Sequence, residues 1–100
     1  MIIHRDGHQL VFNLLTPGTV HKFSPAGATA RMAANFTAGI GIVRIVATAD
    51  VHIKFGGATV EAAATDTFLP AKTVEYFDRG LHLRVAAIGT ADVYVTEMNL

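Results

Sequence analysis

The stretch IVRIVATADVHIKF, residues 42–55, decides the fold. In its second arm Val51, Ile53 and Phe55 fall on one face, and His52 and Lys54 on the other. That period of two marks a half-buried β-strand. The first arm is apolar on both faces except at Arg44, as in a strand that is covered on both sides or central in its sheet. Thr48, Ala49 and Asp50 join the arms as a tight turn. The expectation is a hairpin.

The same alternation recurs on either side. Upstream, Asp6-Gly7 and Pro17-Gly18 read as turns, the latter suited to type II. Residues 9–15 and 19–24 read as strands, with His21 and Phe23 on one side of the second and Val20 and Lys22 on the other. Residues 1–8 are either a short strand or an extended arm. Residues 28–37, ATARMAANFT, carry helix formers, yet Gly27 and Gly39 bound them and no cap starts them. Strand or irregular loop is preferred.

Downstream, Gly56-Gly57 is a break, and residues 58–65 alternate with little to pack. Pro70 places residues 66–72 at an edge or bend. Residues 73–78 read as a strand and Arg79-Gly80 as a turn. Leu81, Leu83 and Val85 alternate as an inward face. Gly89-Thr90-Ala91 turns the chain again. The last strand, residues 92–98, puts Val93 and Val95 inward and Tyr94 and Thr96 outward. Seven to nine short strands with turns about every ten residues imply an all-β chain. The fold is read as a single antiparallel β-sandwich domain over residues 1–100, jelly-roll or immunoglobulin-like.

Composition narrows function. Hydrophobic residues make up 51% and charged residues 16%, against about 25% charged in an average domain. One hundred residues cannot hide that much apolar material easily, so burial in an assembly is favoured over an Ala- and Thr-rich skin. Net charge is zero with no basic stripe, which argues against nucleic acid and anionic membranes. The absence of cysteine excludes disulfides and thiol chemistry. No run reaches the ~18 apolar residues of a membrane span, and the N-terminus lacks a signal-peptide core. Synthesis in the cytoplasm without export is expected.

No catalytic constellation emerges. His4 and His8 are four apart around Asp6-Gly7, and on a strand they would lie ~13 Å apart, too far for one ion. His52 and His82 sit on outward faces, where adjacent strands could bring them together, or one per subunit could meet on a symmetry axis. Solvated or interface histidines are the plainer reading, and no cofactor is expected. The acids fall mostly in turns or on exposed faces. Ser24 precedes Pro25 as a turn serine, outside any nucleophile motif. Gly39-Ile40-Gly41 leads into a β-branched run and not a helix, so it is a strand entry. Tyr76 and Phe77 are consecutive and must face opposite sides, which leaves one outside the core. With Phe68, Leu69 and Pro70 nearby, they form the expected apolar contact patch, and Ile2 and Ile3 are a further candidate for pairing with a neighbouring chain.

From Val43 onward the segments VRIVATADVHIKFGG, ATDTFLPAKTVEYFDRG and LHLRVAAIGTADVYVTEM resemble the small β-rich virion proteins of tailed bacteriophages, over about 55 residues. The resemblance is a pattern of strands and turns, without a catalytic motif. It implies a virion subunit made in the host cytoplasm and acting as capsid decoration or cement. Such a subunit would be a homo-oligomer, with a trimer favoured, bound to the major capsid protein. Head–tail joining and tail or fibre attachment are the other positions it implies. A small carbohydrate- or ligand-binding sandwich is the alternative from another class. An enzyme is not expected.

Overall fold

The structure is a computed structural model and describes residues 15–99. Those residues form eight β-strands: β1 Thr16–Phe23, β2 Ala26–Arg31, β3 Ile42–Ala47, β4 Val51–Gly56, β5 Thr67–Leu69, β6 Glu75–Asp78, β7 Arg84–Thr90 and β8 Val93–Asn99. Among the described residues there is no helix, and so none long and apolar enough to cross a membrane. The arm or strand expected at residues 1–8 and the strand expected at 9–15, apart from Leu15, lie outside the described residues.

The strands make two four-stranded sheets, ordered β1-β8-β3-β6 and β2-β7-β4-β5. Every pair is antiparallel. The pairs β4·β5, β3·β6, β2·β7 and β1·β8 nest like the rungs of one long hairpin. Rolling that hairpin up adds β3·β8 and β4·β7 and closes two facing sheets. This is the strand order of an eight-stranded jelly roll. It resolves the sandwich expectation in favour of the first of its two topologies.

The roll overturns the expected hairpin. β3 and β4 lie in opposite sheets, so residues 48–50 carry the chain across the sandwich and not back along its neighbour. The position of β3 follows from its composition. It lies between β8 and β6, with Val43, Ile45 and Ala47 buried and the alternate residues half-buried. β4 buries Val51 and Ile53 toward the same interior. The core comprises these residues with Phe23, Met32, Phe36, Leu69, Val85, Ala87, Val93 and Val95. Each fully buried aliphatic side chain contributes about 1.5–3 kcal/mol relative to exposure.

Four connections cross between the sheets at one end: β1–β2, β3–β4, β5–β6 and β7–β8. Bonds between neighbouring arches sew this end together. Thr48 N donates to Asp92 O (3.0 Å), Lys72 N to Ala47 O (2.7 Å) and Ala91 N to Pro25 O (3.2 Å). The opposite end carries the segments 32–41, 57–66 and 79–83.

Three further expectations change. Pro17-Gly18 is no turn; it lies inside β1, where the register with β8 shifts between Pro17 and Val20. Proline lacks a donor and is tolerated on an edge strand, and a bulge there accommodates it. β7 runs on through Gly89 and Thr90, so the last turn starts later than expected. Leu81 and Leu83 do not face inward: they are 97% and 41% exposed. The ladder begins only at Arg84, opposite Gly56 at the end of β4. Residues 81–83 therefore lie past the paired ladder, and among the described residues no strand lies opposite them.

Candidate interaction surface

The apolar residues that the core does not absorb define the surface. Leu81, Val20, Phe68, Leu83 and Val74 are the large hydrophobic side chains that stay exposed among the described residues. Leu81 is almost wholly in solvent, yet the residues that flank it are well held. The Arg79 guanidinium donates to Ile40 O, to His82 O at 2.8 Å and to Thr37 O at 3.4 Å. Arg79 N donates to Gly41 O, and His82 N returns to Arg79 O. Asp78 accepts from Gly80 N at 2.8 Å, and Gly80 adopts the left-handed φ of +58° that glycine tolerates. The tip is a fixed turn that presents a leucine.

The predicted contact residues separate. Phe68 stands out from edge strand β5, beside His52, with ring centroids 5.2 Å apart. Leu69 is wholly buried and belongs to the core, not to a contact patch. Pro70 follows, exposed, in the β5–β6 arch. Tyr76 and Phe77 do face opposite sides of β6. Phe77 packs inward against Phe55, centroids 5.6 Å apart, while half-buried Tyr76 pairs with Arg44 on the outer side. β5 and β6 are the edges of their two sheets on the same flank. Phe68, Pro70 and Tyr76 therefore remain as surface residues along that flank. Ile2 and Ile3, like His4 and His8, lie outside the described residues.

Strand-edge addition is poorly served here. β5 has three residues and β6 four. β1 and β2 each carry a register shift. Short and bulged edges resist pairing with another chain. Contacts through side chains are the mode this surface offers.

The two outward histidines do not meet. His52 pairs with Ile88, whereas His82 lies beyond Arg84, whose partner is Gly56, four residues further along β4. At ~3.4 Å per residue that separates them by more than ~13 Å. Among the described residues no group of three His, Asp or Glu side chains is placed to hold a metal ion.

At the arch end a shallow depression is lined by Ser24, Thr48, Thr90 and Asp92, with Pro25, Ala26 and Ala91. Three of its polar residues are already engaged with one another. Ser24 Oγ donates to Asp92 Oδ1 (2.7 Å), and Asp92 N donates to Thr48 Oγ1 (2.9 Å). Asp50, in the neighbouring arch, accepts from Ala71 N (2.7 Å).

One polar group was missed from the sequence. Glu97, one of the acids expected mostly in turns or on exposed faces, is 2% exposed and points into the sandwich. The signal was present: Glu97 keeps the phase of Val93 and Val95, both inward. Its Oε2 lies 2.8 Å from His21 Nε2 and accepts from Thr37 N at 3.0 Å. His21 pairs with Val95, so Glu97 is its diagonal neighbour across β1 and β8. The Phe36 ring stands edge-on to His21 at 6.0 Å and stacks on Phe55 at 6.3 Å. Burial pushes the Glu97 carboxyl up, but the hydrogen bonds from His21 and Thr37 outweigh it and hold the group below the ordinary value.

Compared with known proteins, the chain matches no family model, no curated protein and no solved structure.

Proposed function

We propose that this chain is a structural, protein-binding subunit of a tailed-bacteriophage particle that decorates or cements the capsid through side-chain contacts. The observation that carries its interaction role is Leu81, 97% exposed on a turn held by Arg79. A large apolar side chain fixed in water costs free energy in the isolated chain and returns it when a partner covers it. Phe68, Pro70 and Tyr76 supply a second contact area along the β5/β6 flank. The particle as the partner rests on the resemblance of residues 43–98 to small virion proteins. The jelly roll accords with it, since viral capsid domains are among the hosts of that fold, though lectins are too.

The mechanism is thermodynamic. A subunit that binds assembled coat better than free coat stabilises the shell by mass action. A homo-oligomer, trimeric on a threefold site, would present several Leu81 tips at once and gain from multivalency. A sugar-binding reading would place its ligand in the arch-end depression, where Ser24 and Asp92 already bond each other and no aromatic ring offers a stacking platform.

The test is co-sedimentation with shells of the coat protein from the same virus, alongside unassembled coat subunits. The chain should sediment with shells and not with free subunits, and Leu81→Ser should weaken binding at least tenfold. Equal binding to both, or an unaffected variant, would remove the assignment.

A further inference from the structure

The buried Glu97 sits where three separate parts of the chain meet. It belongs to β8, His21 comes from β1, and Thr37 from the segment 32–41 that spans the end opposite the arches. One oxygen, Oε2, serves both partners. We propose that Glu97 and His21 form a proton-operated latch that fastens the 32–41 segment across the open end of the jelly roll. The proposal is independent of the virion reading.

The chemistry follows from what each group can donate or accept. An ionised carboxylate is an acceptor only, and one of its oxygens can take both the His21 N–H and the Thr37 N–H. Bonds of this kind, with an ionised acceptor, are the strong ones. A proton on the carboxyl turns one acceptor into a donor and removes the charge that strengthens both bonds. Against an ionised carboxylate the His21 ring must carry a hydrogen on Nε2, which the protonated ring and the Nε2–H neutral tautomer both provide, so the switch is placed on Glu97. A protonated His21 ring only tightens the closed state.

Among the described residues no other group nearby substitutes for this charge. The segment 32–41 contains no titratable side chain. On β3, the residue paired with Glu97 is Val43. From the β6–β7 turn comes Arg79, over the Phe36 ring at 5.5 Å and bonded to Thr37 O. From the facing sheet comes Phe55, with His82 on it at 6.2 Å. Arg79 and the Phe36 N to Leu83 O bond (2.9 Å) hold the segment independently of pH. Protonation therefore loosens the Thr37 side of the segment, next to Phe36, while the strands stay paired. The surface uncovered is the Phe36 edge that faces His21, an apolar patch hidden at neutral pH. The lowered pKa of Glu97 sets the opening in acid, below the ordinary carboxylate value of 4.5.

The experiment is an NMR pH titration of the intact chain, following the Thr37 amide proton shift and the exchange protection of each amide. Thr37 should titrate with a midpoint below 4.5 and lose about 10- to 100-fold in protection, while Val43, Ile45 and Val95 remain protected. In Glu97→Gln, Thr37 should lose that titration. In His21→Gln, which keeps a donor, the Thr37 midpoint should move up. The latch is overturned if Thr37 titrates alike in wild type and Glu97→Gln. It is equally overturned if Thr37 loses protection only together with the core strands.

Discussion

The two ends of the jelly roll are closed by different means. At the arch end, short connections bond to their neighbours through backbone groups and turn side chains: Thr48 to Asp92, Lys72 to Ala47, Asp50 to Ala71. At the other end, longer segments are held by side chains that arrive from distant parts of the sequence: Glu97, His21, Arg79 and Phe36. The first end is closed mainly by backbone groups of neighbouring arches, although those arches too are far apart in the sequence. The second is a packed and charged assembly, and beside it stands the exposed Leu81. The exposed Leu81 thus marks the second end, while Phe68 and Pro70 are exposed on the flank that runs into the arches.

Substitutions can break this contrast at either end. The largest effect is expected from Phe36→Ala, which empties a site bordered by His21, Phe55 and Arg79. Urea unfolding should show a loss of about 3–5 kcal/mol. At the arch end Gly89→Ala comes next. Gly89 has φ +146°, and an added Cβ would lie 2.8 Å from the Asp50 carbonyl oxygen. That contact is with backbone, so the arch itself must shift, at a cost of about 2–3 kcal/mol by the same measurement.

The third effect distinguishes the ends by pH. Because the folded-state pKa of Glu97 lies below its ordinary value of 4.5, its contribution is complete above that value and lost as pH falls through the folded pKa. Glu97→Gln should cost about 1.5–3 kcal/mol at pH 7 and flatten the acid limb of the stability–pH curve. Gly89→Ala should lower that curve without changing its shape. The smallest effect on stability belongs to Leu81→Ser, within about 0.5 kcal/mol, since an exposed tip supports no packing. A larger loss would mean that the tip is a structural part of the open end.

The strands were legible in the sequence and their partners were not. Val51, Ile53 and Phe55 announce β4 by parity alone. Yet a three-residue connection keeps the same parity whether the chain folds back beside β3 or crosses to the other sheet. Residues 48–50 therefore read equally well as hairpin or arch, and only the nested long-range pairing decides. Leu81 and Leu83 misled for a related reason. Their alternation runs into that of β7 without interruption, and nothing in the residues marks where β4 ceases to supply a partner. Pro17-Gly18 has the chemistry of a turn, and a bulge in an edge strand uses the same residues. Glu97 was readable from its phase with Val95, against the expectation that acids face water. Its partner His21 was not readable, because the two residues meet only once β1 and β8 pair.

The central claim is that the exposed apolar residues are contact surface. Native mass by light scattering across a dilution series, for the wild type and for a Leu81→Ser, Phe68→Ser double variant, tests it most directly. The account predicts a wild-type oligomer, three chains, that survives dilution, and a variant that dissociates toward monomer. A wild type that is monomeric at every concentration and indistinguishable from the variant would contradict it.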